Sequence, residues 1–335
     1  MASRKERAAV ASSPEVEVAA TELLAKGNAV DAVVAGVFAA CAIAPTVLLG
    51  PVQILMGGGG TGLHALDGRV RQPGIGAPRP RGFTESEEIP DAARVGTPWL
   101  PATLAVALAS AGSASFAQVL APAIMLAKGS GRADILKKIA SHGPRAIEER
   151  PLSAELLNVA GRPSGGLLTT DDLSSPRPEL LPASPARRGD RIILSVPWAN
   201  REDGAPAPPA PEVDIASTRA VAAVDRHGTF AVACWEEAPE GIWLGDLGIK
   251  APLSAEPVRR GKTRVRPGHP RPSAAPLALV AREHPEIALA AFGARDAYDV
   301  IAGALASLVR DDRIEAHGEA RLVAVSHVGG MASVL

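Results

Sequence analysis

A single threonine is the strongest candidate for covalent chemistry in this sequence of 335 residues. Thr218 follows a proline-rich segment and stands just before an expected β-strand at residues 220–224. If the chain is cut immediately before Thr218, its hydroxyl can act as a nucleophile. The freed α-amine, whose pKa is about 8, can then accept the hydroxyl proton, so no histidine or lysine partner is needed. Residue type alone leaves open the commoner alternative, in which a threonine at the start of a strand is structural.

Two further patterns have the form of ligand-binding motifs but lack the neighbouring elements or residues that such motifs need. Gly57, Gly59 and Gly62 match the glycine spacing of a dinucleotide-binding turn, yet the residues that follow lead into an expected hairpin instead of the required helix. The basic run at residues 259–271 has no interleaved aromatic residues for base stacking. A glycine-rich turn and a solvated loop are the simpler interpretations, with anion binding as the alternative for the basic run. The seven histidines have no metal-ligand spacing, so we expect neither a metal nor a cofactor.

Composition predicts a folded protein with a balanced charge. Apolar residues make up 47% and charged residues 21%, which excludes a largely disordered chain. The formal net charge of −1 gives no overall attraction to nucleic acid or to an anionic membrane. No apolar segment of the signal-peptide type follows the first basic residues, and Pro45 interrupts the apolar run at residues 32–49, so we expect a cytoplasmic protein. Cys41 and Cys234 are expected to be buried free thiols, with one disulfide as the alternative.

Apolar periodicity and turn signals predict an α+β fold, as one large domain or two small ones. Expected helices lie at residues 16–26, 31–43, 103–111, 116–128, 135–149 and 297–309, and expected strands at 52–56, 191–196, 220–224, 229–235, 277–280 and 321–325. The clearest hairpin turn is Asp225-Arg226-His227-Gly228. A second hairpin is expected around Asp67-Gly68.

Four segments, in order, resemble the γ-glutamyltransferase family of N-terminal-nucleophile hydrolases. The run GNAVDA at residues 27–32 is similar to the family's GGNAVDA signature and is the most specific match. The other three are the glycine run at residues 57–60, the run LAPAIMLAKG at 120–129 and the run GGLLTTDDL at 165–173. The resemblance implies the four-layer αββα sandwich of these hydrolases.

The family's small subunit begins with its nucleophile, which is the first threonine of a Thr-Thr-His-x-Ser-Val-Val-Asp strand, and a glycine turn follows that strand. Residues 224–228 resemble that strand end and turn, and counting back seven residues from Asp225 reaches Thr218. The resemblance thus implies self-cleavage between Ser217 and Thr218, with Ser217 as the less favoured alternative nucleophile. Residues 1–217, with a shortened, proline-rich linker at about 176–211, would correspond to the large subunit and residues 218–335 to the small one. Both are expected to form one compact domain.

The resemblance also suggests roles for further residues, although several family positions differ here. Thr218 would be nucleophile and, through its amine, general base, and Gly293 would help to form the oxyanion hole. The family's second threonine and its histidine correspond to Arg219 and Ala220, its strand threonine and asparagine to Glu236 and Ala238, and its carboxylate-binding arginine to Gly74. Substrate binding is therefore assigned to Glu236, Ser273, Arg264 and Arg266.

The function that the resemblance implies is an amide hydrolase or acyltransferase of the γ-glutamyltransferase and glutathione hydrolase type. Its partner would be a small-molecule γ-glutamyl or other amide, with no nucleic acid, no membrane and the oligomeric state left open. A different class of function is the alternative, because nearly every aligned substrate contact is replaced. In that alternative the protein is a catalytically inactive scaffold that serves as a binding or interaction module.

Overall fold

The fold, seen in a computed structural model that describes residues 7–327 and 332–335, is built on two six-stranded antiparallel sheets. The first sheet has the strand order β1-β7-β8-β2-β3-β4. Its strands are, in chain order, β1 (Ala8–Ala11), β2 (Val52–Gly58), β3 (Thr61–Gly68), β4 (Leu180–Pro182), β7 (Thr218–Val224) and β8 (Thr229–Glu236).

The second sheet has the order β14-β13-β12-β11-β6-β5. It comprises β5 (Ser184–Arg188), β6 (Arg191–Ser195), β11 (Leu277–Ala281), β12 (Pro285–Phe292), β13 (Arg321–Ser326) and β14 (Ala332–Val334). A separate two-stranded ribbon joins β9 (Gly241–Trp243) to β10 (Lys250–Pro252).

Helices cover the outer face of each sheet. Those on the side of the first sheet are α1 (Pro14–Lys26), α2 (Ala29–Ile43), α3 (Leu100–Ala111), α4 (Phe116–Leu126), α5 (Gly131–His142) and α6 (Leu152–Ala160), and the short α7 (Thr170–Ser174) follows them. α8 (Ala297–Asp311) packs on the second sheet. α2 is apolar on all sides and buried along nearly its whole length, as its sequence predicts.

The core between the sheets consists of alternate strand residues, because successive side chains of a strand point to opposite faces. Ala220, Ala222 and Val224 of β7 meet residues such as Leu279 of β11 and Ala290 of β12 in this layer. The other side chains of each strand pack against the helices. The arrangement is helix, sheet, sheet, helix, which confirms the αββα class.

The hairpin of β7 and β8 forms where the sequence predicts it. Asp225 Oδ1 accepts hydrogen bonds from the amides of His227 (2.8 Å) and Thr229 (3.1 Å). Gly228 has φ +80°, a conformation that favours glycine. The strands are longer than expected, because β7 begins at Thr218 itself and β8 continues to Glu236.

The prediction of a hairpin around Asp67-Gly68 is wrong. β3 runs without a break through that dipeptide and pairs with β2, and the connecting turn lies at Gly59 and Gly60, whose φ angles are +60° and +89°. The carboxylate of Asp67 instead forms ion pairs with Arg69 (2.8 Å) and Arg71 (3.0 Å). The tight turn needs residues with a positive φ, and Gly59 and Gly60 supply them. The hairpin therefore turns at these two glycines and not at Asp67-Gly68.

The proline-rich segment at residues 176–211 contributes strands to both sheets. β4 pairs with β3, and β6 pairs with β11. Cys41 and Cys234 are buried and free, which confirms the expectation of two thiols. Within residues 7–327 and 332–335, every helix is too short or too polar to cross a bilayer.

Candidate active site

Thr218 lies at the first position of β7 with its side chain fully buried. Its Oγ1 has no hydrogen-bond partner among the described residues. Burying a hydroxyl without a partner costs free energy, so most buried hydroxyls in folded proteins are paired. The unpaired hydroxyl of Thr218 is thus a specific exception that stability alone does not explain.

The strand register sets the environment of that hydroxyl. The amide of Glu237 donates a 2.9 Å hydrogen bond to the carbonyl oxygen of Ser217, while Thr218 lies opposite Glu236. Because hydrogen-bonded and non-hydrogen-bonded pairs alternate in an antiparallel ladder, Thr218 and Glu236 form a non-hydrogen-bonded pair, the kind with the closer side chains. Both side chains point to the face that the two sheets share, as Ala220 and Cys234 do one step along the same strands.

The carboxyl of Glu236 is held by its surroundings. Its Oε1 accepts a 2.8 Å hydrogen bond from the amide of Ala274, and its carboxyl also hydrogen-bonds with the side chain of Ser273. Burial raises the pKa of Glu236 to about 7, because the loss of hydration outweighs these two bonds and the nearby charge of Asp214 adds to the effect. A carboxyl of this kind exchanges its proton near neutral pH.

Sequence reasoning missed Gln53, which supports this group from β2. Its Nε2 donates to Ser273 Oγ (3.0 Å) and to the carbonyl oxygen of Ala274 (2.7 Å), and its Oε1 accepts from Trp198 Nε1. Gln53 is fully buried. The available signal was a lone amide inside the apolar run at residues 52–56, since a buried amide needs partners.

Tyr298 supports the same loop from α8, and sequence reasoning missed it as well. Its Oη accepts a 2.7 Å hydrogen bond from the amide of Ala275. Burial raises the pKa of the Tyr298 phenol, so it stays protonated at neutral pH. Tyr298 is the only tyrosine in the sequence, and a tyrosine on the buried side of an amphipathic helix needs a partner for its hydroxyl.

Gly293, the expected oxyanion donor, lies directly beside Thr218. Its amide donates a 3.1 Å hydrogen bond to the carbonyl oxygen of Thr218, so this N–H is engaged in the structure. The same carbonyl accepts a bond from Nη1 of Arg219 (2.9 Å), which also bonds to Ala216 O (3.1 Å). Arg219 in turn forms an ion pair with Glu237 (3.2 Å). The backbone around the Ser217–Thr218 peptide bond is therefore fixed from three sides.

A cleft of about 400 Å³ opens at this peptide bond, and Ser217 and Glu236 are among the residues that line it. The lining is strongly acidic. Its carboxylates belong to Glu212, Asp214, Glu236, Glu240 and Glu256. Among the described residues that line it, Arg271 is the one cation, and its guanidinium is paired with Glu256 at 3.2 Å.

Neither Arg264 nor Arg266 is among the residues that line this cleft. Arg266 is exposed, whereas Arg264 lies beside Gly74. A Cβ placed on Gly74 would lie 3.0 Å from Arg264 Nη2, so the guanidinium fills the space next to the position where the related family carries its arginine. The Nε and Nη2 atoms of Arg264 are buried without a hydrogen-bond partner among the described residues. The structure therefore brings Thr218, Ser217, Glu236, Ser273 and Gly293 together but keeps these two arginines apart from the cleft.

The segments that carry the sequence resemblance prove to be structural supports. The buried carboxylate of Asp31, in the GNAVDA run, accepts hydrogen bonds from the amides of Asn28 (2.9 Å), Ser113 (3.0 Å) and Ala114 (3.0 Å) and from Ser113 Oγ (2.6 Å). It thereby closes the capping box of α2.

Asp172, in the GGLLTTDDL run, has an equivalent role. Its carboxylate accepts hydrogen bonds from the amides of Gly74 (2.8 Å), Ile75 (3.0 Å) and Thr169 (2.9 Å). It therefore ties the start of α7 to the loop that follows β3. Across residues 7–327 and 332–335, no three His, Cys, Asp or Glu side chains are grouped so that they could hold a metal ion.

Comparison with solved structures supports the fold. The cephalosporin acylase from Bacillus halodurans aligns with 99% of this chain and 94% of its own, at 15% sequence identity and a TM-score of 0.67. LmbA2991HD aligns with 93% of this chain and 83% of its own, at 14% identity and a TM-score of 0.68. The γ-glutamyltranspeptidase from Pseudomonas nitroreducens aligns with 57% of this chain and 70% of its own, at 22% identity and a TM-score of only 0.47. No protein-family model and no curated protein matches the sequence. At these identities the likeness concerns the fold, which is the αββα fold of the N-terminal-nucleophile hydrolases.

Proposed function

We propose that this protein is an amide hydrolase or acyltransferase whose nucleophile is Thr218, released as an N-terminal residue by self-cleavage after Ser217. The observation that carries the proposal is the hydroxyl of Thr218, which is fully buried and unpaired among the described residues, directly after Ser217 in the lining of an open cleft. Reactive groups are often kept in such costly environments because the surrounding fold stabilises them. No other role of Thr218 in the structure uses this hydroxyl.

The proposed self-cleavage begins with attack of Thr218 Oγ on the carbonyl carbon of Ser217. The carbonyl oxygen becomes an oxyanion, and the amide of Glu237, 2.9 Å away, already donates to it. The C–N bond then breaks, the nitrogen of Thr218 gains a proton, and an ester joins Ser217 to Thr218 Oγ. Water hydrolyses this ester into the Ser217 carboxylate and the free hydroxyl of Thr218.

The free amine of Thr218 would serve as general base in turnover. It accepts the hydroxyl proton while Oγ attacks the carbonyl carbon of a small amide in the cleft. The acyl group passes to Oγ, the amine of the substrate leaves with a proton, and water or a second amine then accepts the acyl group. Gly293 can donate to the oxyanion of this second reaction once its amide leaves the Thr218 carbonyl.

The charge of the cleft supports an amide substrate that differs from a γ-glutamyl compound. A γ-glutamyl group carries an α-carboxylate beside its α-ammonium, and that carboxylate needs a cationic partner. The described lining of the cleft has five carboxyl groups and one guanidinium, which is already paired. Like charges at short range oppose binding. We therefore favour substrates whose acyl part is neutral or cationic, and the glutathione-type reaction is the less favoured assignment.

The inactive scaffold remains the second candidate, and one observation favours it. The amide of Gly293 is engaged with the Thr218 carbonyl, so the oxyanion donor for substrate turnover is occupied. Losing one such donor typically lowers the rate about 100- to 1,000-fold. A scaffold of this kind would keep the αββα fold and leave the chain whole.

Intact-mass analysis and N-terminal sequencing of the purified chain test the proposal. Self-cleavage gives two fragments, residues 1–217 and 218–335, with a new N-terminus at Thr218. The Thr218→Ala variant should remain whole, whereas Ser217→Ala, which keeps the proposed nucleophile, should still be cut at the same bond. A wild-type chain that stays whole on long incubation would overturn the proposal and favour the scaffold.

A further inference from the structure

We propose that Glu236 accepts the hydroxyl proton of Thr218 during self-cleavage, through one bridging water molecule. The inference rests on the proposed function and concerns its first step. Before the chain is cut, the nitrogen of Thr218 belongs to a peptide bond and is not basic, so the usual base of an N-terminal nucleophile does not yet exist. The intact chain therefore needs another proton acceptor.

The cleft offers few alternatives to Glu236. No histidine or lysine is among its lining residues. Asp214, Glu212, Glu240 and Glu256 are exposed carboxylates of the loops around the cleft. Glu236 differs because it is half-buried and stands directly across the ladder from Thr218.

The geometry of the cross-strand pair favours proton transfer from Thr218 to Glu236. Directly opposite residues of an antiparallel ladder have Cβ atoms about 4.5–5.5 Å apart, and the shorter distances belong to non-hydrogen-bonded pairs. Thr218 Oγ1 makes no hydrogen bond to Glu236 among the described contacts, so one water between the two groups completes the path. Ala274 and Ser273 occupy two acceptor sites of the carboxylate, and a carboxylate has about four, so a site for this water is left.

The charged and titratable groups around Glu236 help to keep the pKa of its carboxyl above the ordinary value. Asp214 opposes its ionisation from the preceding loop. Cys234, on the same strand, and Tyr298, on α8, both have raised pKa values and stay neutral at physiological pH. Arg219 and Glu237 lie on the opposite face of the sheet and pair with each other. With its pKa near 7, the carboxyl of Glu236 is a far better base than an ordinary glutamate.

The protons balance over the whole step. Glu236 takes the proton of Thr218 Oγ through the water as the new C–O bond forms. The protonated carboxyl then returns a proton to the nitrogen of Thr218 as the C–N bond breaks. Glu236 ends ionised, and the ester and the free amine are the products. No oxidant, metal or further reactant is required.

The test follows cleavage of the full chain after a short pulse of cell-free synthesis, in buffers between about pH 5 and 9. Wild-type cleavage should accelerate with rising pH and level off above a midpoint near 7. Glu236→Gln should slow cleavage about 100-fold or more and remove this pH dependence. Glu236→Asp should restore part of the rate together with the pH dependence. Glu283→Gln, an exposed carboxylate outside the site, is the matched control and should behave as the wild type.

Each outcome decides the inference. Loss of rate and of pH dependence in a folded Glu236→Gln chain supports it. If this variant is cleaved at the wild-type rate, or slowed with its pH profile unchanged, Glu236 is not the proton acceptor, although self-cleavage at Thr218 stands. If the wild-type chain is not cut at all, both the inference and the proposed function fail.

Discussion

The amide of Gly293 and the carbonyl oxygen of Thr218 are joined by a 3.1 Å hydrogen bond that links the two sheets. Gly293 follows β12 in the second sheet, and Thr218 begins β7 in the first. The bond therefore lies at the edge of the core between the sheets and fixes the backbone of the candidate nucleophile, while its hydroxyl is left free. We therefore expect the hydroxyl of Thr218 to contribute little to the free energy of unfolding, and a substitution can test this.

Thr218→Val should leave the free energy of unfolding within about 1 kcal/mol of the wild type or raise it, since the lost hydroxyl makes no hydrogen bond. Urea unfolding of chains that carry this substitution, which also removes the proposed nucleophile, measures the change. Thr103→Val is the matched control, because Thr103 is buried too but its Oγ1 donates to the carbonyl oxygen of Trp99 at 2.9 Å. The control should lose about 1 kcal/mol. A larger loss at position 218 than at 103 would show that the Thr218 hydroxyl is structural.

The raised pKa of Glu236 should make stability depend on pH. The ordinary pKa of this carboxyl is 4.5, and its pKa in the folded protein is about 7. Between these values the folded state binds more protons than the unfolded state, so stability falls as the pH rises from about 4.5 to about 7 and is then constant. Partial exposure reduces the size of the effect, and we expect about 2 kcal/mol.

Urea unfolding of Thr218→Ala and of the double variant Thr218→Ala/Glu236→Gln isolates this group, because both chains stay uncut. The difference in stability should grow in favour of the double variant between pH 4.5 and 7 and stay flat above this range. Other carboxyls, such as Asp67 with its lowered pKa, contribute equally to both chains and cancel. A pH-independent difference would mean that Glu236 titrates as an ordinary glutamate.

Asp31→Asn should be strongly destabilising, although the residue takes no part in the proposed chemistry. The substitution turns one acceptor oxygen into an NH₂ group that faces the donors from Asn28, Ser113 and Ala114. Hydrogen bonds to charged groups contribute about 1.5–3 kcal/mol each, so a loss of about 3 kcal/mol is expected. Thermal unfolding measures it, with Asp134→Asn as the control.

Asp134 is exposed and forms only a surface pair with Lys137, so the control should change stability by less than about 1 kcal/mol. Equal effects at positions 31 and 134 would contradict the structural role of the GNAVDA run. A destabilised Asp31→Asn chain that is still cut at Thr218 would separate the motif's role in folding from the chemistry.

Local signals in the sequence predict much of the fold. The capping residue Asn28 and the apolar run after it predict α2, and the turn at residues 225–228 predicts the β7–β8 hairpin that positions Thr218. β12 was not predicted, because its alanine-rich sequence has low intrinsic strand propensity. It forms a strand because β11 and β13 pair with it on both sides. The strand β12 therefore depends on tertiary pairing, which the local sequence does not contain.

The site is less predictable than the fold, for the same reason. The sequence places Thr218 just before one strand of the expected hairpin and Glu236 just after the other. Only the observed strand extension and register make them a directly opposed pair. Gln53 and Tyr298 reach the site from other elements, and no spacing in the sequence reveals this. The acidic cleft combines residues from five separate stretches between positions 50 and 272, so its charge is a property of the folded chain alone.

That charge leads to a prediction about substrate choice in the cleaved protein. A 4-aminobutanoyl anilide and a glutaryl anilide have acyl chains of similar length that end in an ammonium and a carboxylate. The exposed lining carboxylates that form no ion pair among the described residues, Glu212, Asp214 and Glu240, should attract the first and repel the second. We therefore expect kcat/KM for the ammonium substrate to be at least about tenfold higher at low salt. With both acyl chains supplied as 4-nitroanilides, release of yellow 4-nitroaniline measures both rates.

Two controls separate this electrostatic effect from a difference in shape. The preference should shrink as salt is added, since exposed charges are screened beyond about 10 Å at 0.1 M ionic strength. Replacing Glu212 and Glu240 by glutamine should also reduce it, because these exposed lining carboxylates form no ion pair among the described residues. A preference for the glutaryl substrate would show that an arginine outside the described lining, such as Arg264, reaches the acyl group after cleavage. The charge of the cleft would then not determine which amide is bound.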